Sequence, residues 1–267
     1  MKKYFIKRII TSIVIVFIIL VAVRTVGAHF FEKGYAQNDE LINGVVKLLL
    51  FFGTLYILKT EKLINWEFTQ KSKILTLAVS LTVIFLSGQH AFSKMKEFSI
   101  TVSIFDHFAY AFNCVCTGFF EEFFFRILIF VYVCKVLTQN TNNNYIKPVL
   151  ITSFLFAIVH ITNFLIGEMD IISAINQMMF AFLMGILFQS LFYRIKNILL
   201  TSVLHAVVNY NGMLSAKLFK LESHDDSSGI WQDFLQTMLV FVIFGLLVVL
   251  PITFYSLKKR DYNLIKE

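Results

Sequence analysis

Eight long apolar stretches, separated by short polar or basic connections, make up most of this chain. They lie at about 9–28, 42–59, 74–89, 102–137, 147–166, 171–192, 198–214 and 234–257. A helix needs roughly 20 apolar residues to cross ~30 Å of hydrocarbon, and most of these stretches are near that length. None alternates with the period of two that a barrel strand requires, so each is expected to be a helix. The pattern predicts an all-α polytopic membrane protein, a bundle of about eight transmembrane helices, with residues 1–267 as one integral membrane domain. The 102–137 stretch is the exception in length. As a straight helix it would extend ~54 Å at 1.5 Å per residue, so it must tilt, kink or project from the bilayer.

Charge then gives the bundle a direction. The chain opens MKKYFIKR, and the first apolar run outlasts a signal-peptide core with only TVGAHF as a cleavage candidate after it, which favours an uncleaved first span. Alternate connections carry Lys59, Lys62, Lys71 and Lys73, then Lys135 and Lys147, then Arg194 and Lys196, and finally the tail LKKRDYNLIKE. Those between them carry Glu32, Asp39 and Glu40, Glu168 and Asp170, and ESHDD, with Lys94 and Lys96 as an exception. The asymmetry places both termini on the cytoplasmic side of a cell membrane.

Composition removes the soluble alternatives. Apolar residues form 57% of the chain and charged residues 15%, too few to build the polar surface of a water-soluble fold. The +7 formal charge sits at the ends of apolar runs, where it marks topology, so no nucleic-acid partner is expected. The lipid bilayer is the expected surrounding. Cys114, Cys116 and Cys134 show no CxxC spacing and are expected as small buried fillers. Richness in Phe, Ile, Lys and Asn fits an AT-rich bacterial genome.

Candidate chemistry begins at FEEFFFR, residues 120–126, where two carboxylates and a guanidinium stand inside an apolar run. Counted from the nearest basic end, Glu121 lies ~21 Å deep, His160 ~20 Å, His205 ~14 Å and Asn209 ~20 Å. Three separate helices thus bring polar groups to a similar level. Asn113, Thr117 and Glu121 share one helix stripe, as do Thr201, His205 and Asn209. Glu122 and Arg126 are spaced i,i+4 with the acid first, the better order for an intrahelical pair. An ionised carboxylate at that depth is costly unless water, a hydrogen bond or a cation accompanies it. A carboxylate and a histidine can move protons around a bound water, and an asparagine can donate to an oxygen where negative charge develops. These groups point to hydrolysis of a peptide bond by attack of water. A proton or solute pathway and a polar structural core remain the alternatives at this point.

EEFFFR at 121–126, FAIVH at 156–160 and HAVVN at 205–209 match EExxxR, FxxxH and HxxxN in that order. The ordered trio resembles the CPBP family of intramembrane proteases, which includes CAAX prenyl endopeptidases and bacterial Abi or bacteriocin-immunity-like proteins. The resemblance covers roughly 104–211, a protease-like core, and also places Gln177 and Gly185 where polar and small residues are common. It implies that Glu121 activates water, that His160, His205 and Asn209 complete the catalytic set, and that Glu122, Arg126 and Phe156 support it. His160 is expected to position the water and shuttle protons, and His205 with Asn209 to stabilise the tetrahedral intermediate. The implied substrate is a membrane-associated or lipidated peptide, reached through a cavity open to the cytoplasmic side or laterally to lipid. The bacterial composition favours a secreted precursor, a bacteriocin or a membrane-protein tail over a prenylated CAAX protein. No cofactor and no metal are implied; Glu121, His160 and His205 would be the ligands if zinc were used. The resemblance also admits a non-catalytic immunity or regulatory partner protein. A proton-coupled transporter is the third reading.

Overall fold

The computed structural model describes residues 2–30, 36–63, 103–137, 145–167, 169–218, 238–240 and 242–257. The helices are α1 (Lys2–Phe30), α2 (Ala36–Thr60), α3 (Ile104–Glu121), α4 (Phe130–Leu137), α5 (Ile146–Val159), α6 (Thr162–Leu165), α7 (Ile171–Ile195), α8 (Ile198–Leu218) and α9 (Leu250–Leu257). Two π-helical segments, π1 (Glu122–Ile129) and π2 (Gly245–Val249), join α3 to α4 and lead into α9. No strand occurs among the described residues, in agreement with the all-α expectation. Five helical segments are long and apolar enough to cross a membrane: Lys2–Val23, Glu40–Thr60, Ile146–Leu165, Ile171–Ile195 and Met238–Tyr255. The span expected at 74–89 lies outside the described residues. These five are a count among the described residues and do not bear on the remaining stretches of the eight.

Residues 104–137 of the long stretch form one continuous helical run whose turns widen at π1. A π-helix bonds i to i+5, so its side chains advance around the axis by a smaller angle than in an α-helix. All eight residues of π1 are buried, including Glu122 and Arg126. Only an element surrounded on every side can bury a whole turn, and π1 touches α2, α5, α7 and α8 as well as its own flanks. It is the axis of the bundle. Phe123, Phe124 and Phe125 anchor one core with Phe156, Ala157 and residues of α1 and α2, and Phe130 anchors a second with Leu187, Phe188 and Leu204.

Two glycines set how closely the neighbours approach. A Cβ on Gly118 would lie 2.6 Å from the Ser202 carbonyl oxygen and 2.8 Å from the Ala206 nitrogen, so α3 and α8 meet backbone to backbone. At Gly185 a Cβ would lie 2.9 Å from that of Ser153, which draws α5 against α7. Small residues serve this purpose in membranes, where helix association depends on close packing. α7 begins at Asp170, whose carboxylate accepts from the Ile172 and Ser173 backbone nitrogens at 2.8 and 3.0 Å. It ends at Lys196 in the left-handed region (φ 56°), and Asn197 then accepts from Leu200 N at 3.1 Å to start α8. This short reversal lets α8 leave α7 and pack against α3, which brings His205 to the Glu121–Glu122 junction.

Candidate active site

Glu121 is the last residue of α3 and Glu122 the first of π1, so the change of helical pitch falls between the two carboxylates. Both face His205 on α8. The His205 Nδ1 is 2.9 Å from Glu122 Oε1, and its Nε2 is 3.4 Å from Glu121 Oε2. Glu122 is fully buried, whereas the Glu121 side chain keeps 18% of its exposure. Adjacent residues of an α-helix face about 100° apart, so i,i+4 spacing made Arg126 the partner of Glu122. The structure agrees on that pair, with Arg126 Nη2 3.4 Å from Glu122 Oε1, and adds one imidazole shared by both acids.

Phe156 on α5 is the hub beneath these groups. The Arg126 guanidinium lies 4.4 Å from its ring centre, a cation–π contact in a site without water-exposed surface. Its edges meet His160 and His205 at near-perpendicular angles, 4.9 and 5.9 Å between centroids. Phe188 covers another side of His205 at 5.6 Å. His160 follows directly on α5, and its Nδ1 is 2.9 Å from the Phe156 carbonyl oxygen. A carbonyl only accepts, so Nδ1 carries the proton of that bond and Nε2 is left for other chemistry.

A polar cavity of about 140 Å³ opens above this layer, with room for several water molecules. Glu121, His160 and Asn209 line it together with Asn113, Thr117, Gln177, Asn163 and Tyr110. The stripe Asn113, Thr117 and Glu121 therefore reaches the cavity whole, whereas of Thr201, His205 and Asn209 only Asn209 does, and His205, Glu122, Arg126 and Phe156 are not part of its lining. Tyr110 donates to the Asn209 carbonyl oxygen at 2.9 Å and fixes the backbone there. Asn163 donates to Gln177 Oε1 at 2.7 Å, which ties the residues following α5 to α7.

Two features were not anticipated. The cavity extends from Glu121 toward Glu40, Tyr110 and Gln177, the end of the bundle remote from Lys135 and Arg194. An opening toward the cytoplasmic side or laterally to lipid was expected; the lining itself lies at the end of the bundle away from Lys135 and Arg194. Counting depth from basic ends measured how far the groups lie from one face and carried no information on which face the void adjoins. The second is α2, which supplies Glu40, Asn43 and Lys47 to the lining. A lysine inside NGVVKLLLFF was the available signal, since an ionisable group at mid-span marks a functional position.

Among the described residues no group of three or more His, Cys, Asp and Glu is disposed to hold a metal ion. Cys114, Cys116 and Cys134 are buried and form no disulfide.

Residues 103–211 match the family model described as Rce1-like, type II CAAX prenyl endopeptidase Rce1-like. The matched segment starts at the N-cap of α3 and ends in α8, so it contains the three motifs and every side chain of the layer around Phe156. The match supports the CPBP family, and with it a CAAX-type intramembrane protease in general. No curated protein and no solved structure matches the chain.

Proposed function

We propose that the protein is an intramembrane endopeptidase that hydrolyses a peptide bond of a membrane-associated or lipidated peptide with a water activated by Glu121. The observation that carries this reading is the position of Glu121, a carboxylate on the wall of a polar cavity with His205 Nε2 3.4 Å behind it. A carboxylate so held can take a proton from water in the cavity while the water oxygen adds to the substrate carbonyl carbon. The negative charge then appears on the former carbonyl oxygen, where the Asn209 amide is the available donor. Cleavage of the C–N bond follows, and the proton held by Glu121 passes to the leaving amine. Glu121 returns to its starting state.

The geometry favours a different role for His205 from the one the resemblance implies and keeps that of His160. His205 lies between Glu121 and Glu122 and is the group that orients the catalytic carboxylate. His160 presents Nε2 to the cavity and positions the attacking water. Glu122 and Arg126 balance charge beneath them, and Phe156 holds Arg126 and both imidazoles in place.

The test compares purified wild type with Glu121→Gln in detergent against a library of membrane-associated peptides, with products read by mass spectrometry in the presence and absence of a zinc chelator. Cleavage should fall at least about 10³-fold in the variant and should not respond to the chelator. Cleavage that persists in Glu121→Gln would overturn the mechanism. Loss on chelation with recovery on adding zinc would instead make Glu121 and the histidines metal ligands.

A further inference from the structure

Gln177 stands on α7 between Ala174 and Ala181, both buried. Residues three and four apart on a helix share one face, so this stripe turns into the bundle while Ile175, Met179 and Phe180 remain exposed. The small neighbours leave room for a longer side chain, and Gln177 lines the polar cavity together with Glu121, His160 and Asn209. Its Oε1 accepts from the Asn163 amide at 2.7 Å. Asn163 in turn donates its backbone N–H to the His160 carbonyl oxygen at 3.1 Å, which links the turn that carries His160 to the Gln177 side chain. With Oε1 so engaged, the amide nitrogen of Gln177 is the end left over, and it has no partner among the described residues. Other donors of the lining are occupied: Asn113 donates to Glu40, Asn163 to Gln177, and the Thr117 and Tyr110 hydroxyls to main-chain carbonyl oxygens. An unpaired donor inside a membrane bundle is costly, and a leucine would line α7 without that cost. The N–H therefore belongs to what the cavity receives.

We propose that Gln177 is a substrate-binding residue whose amide N–H donates to a main-chain carbonyl oxygen of the peptide. The proposal rests on the endopeptidase reading and adds one substrate contact to it. An apolar peptide that leaves lipid or water for this cavity brings carbonyl oxygens with it, and each one buried without a donor costs free energy. A neutral amide suits that acceptor, since a carbonyl carries no charge to be balanced and is present at every residue whatever the side chains. The donor stands on α7, whereas the carboxylate that activates water stands on α3. Engaging one carbonyl at Gln177 therefore fixes the register of the peptide, and with it which bond lies at Glu121. The hydrogen bond from Asn163 holds the amide in the orientation that keeps its nitrogen available.

Binding can be measured apart from turnover with Glu121→Gln protein in nanodiscs. The probes are N-dodecanoylated apolar pentapeptide amides: a parent pool, and further pools in which one peptide bond, at a different position in each, is replaced by an (E)-alkene that lacks the carbonyl. At one position the alkene should weaken binding about tenfold. Adding Gln177→Met, or Gln177→Ala as a second variant, should weaken the parent pool by a similar factor and erase the cost of the alkene at that position alone. A residue that only braced the helices would lower binding of every pool equally. No binding of the parent pool, a uniform loss across all pools in both variants, or an alkene cost that persists in both at every position would overturn the proposal. Wild-type cleavage of the same pools separates the two readings: cleavage without a Gln177-dependent carbonyl position sinks this contact alone, and such a position without cleavage sinks the protease alone.

Discussion

Arg126 and Glu122 are both fully buried and 3.4 Å apart, and the guanidinium is held further by the Phe156 ring. Removing one member of such a pair leaves the other charged and without compensation in a medium that solvates it poorly. Arg126→Met should therefore lower stability by about 3–5 kcal/mol, and adding Glu122→Gln should recover a large part of that loss. Thermal unfolding of the purified single and double variants in one detergent checks this. A double variant no more stable than the single would mean that the pair's charge is not what holds π1. The pair was legible in the sequence because i,i+4 spacing is a property of one helix. His205 as partner of both acids was not legible, because the rotation between Glu121 and Glu122 depends on a widened turn that no local propensity announces.

At the scale of elements, the contact between α3 and α8 decides whether His205 reaches the carboxylates. Gly118 lies one turn before Glu122, and its missing Cβ is what lets the backbone of Ser202 and Ala206 approach. Gly118→Ala must part the helices, because the atoms it would meet are main-chain atoms that cannot rotate away. A cost of about 1–3 kcal/mol is expected, with kcat lowered about 100-fold by a displacement near 1 Å. Kinetics on a cleaved peptide beside a thermal midpoint would show it, and wild-type kcat in a destabilised Gly118→Ala would contradict it. Apolar run lengths were enough to place the helices among the described residues. They said nothing of which faces touch, since a glycine among Cys, Thr and Phe looks like an ordinary small residue until its neighbour across the interface is known.

For the whole molecule, the cavity lies in the half of the bundle that carries Glu40 and Gln177. With the basic ends in the cytoplasm, a membrane-impermeant thiol reagent added to intact cells should label Asn43→Cys in a background whose native cysteines are replaced by alanine. Labelling only after the cells are opened would reverse either the orientation or the side of entry. Lysines and arginines assign the chain a direction because the membrane sorts them globally, and the labelling experiment is what tests it. The position of the void was not legible in them, since it arises where α2, α3, α7 and α8 fail to fill the space between them.

The widened turn at Glu122–Ile129 has one more consequence. A π-helix carries a residue more per turn than the α-helix it interrupts, so the distance between Glu121 and Arg126 is fixed as a count and not merely as a composition. Deleting any one of Phe123, Phe124 or Phe125 would allow an ordinary helix to re-form with the same number of turns, yet would set Arg126 three residues after Glu122 and four after Glu121, and so change which acid it faces. Exchange of one of these phenylalanines for another bulky apolar residue keeps that count, whereas an insertion or deletion does not.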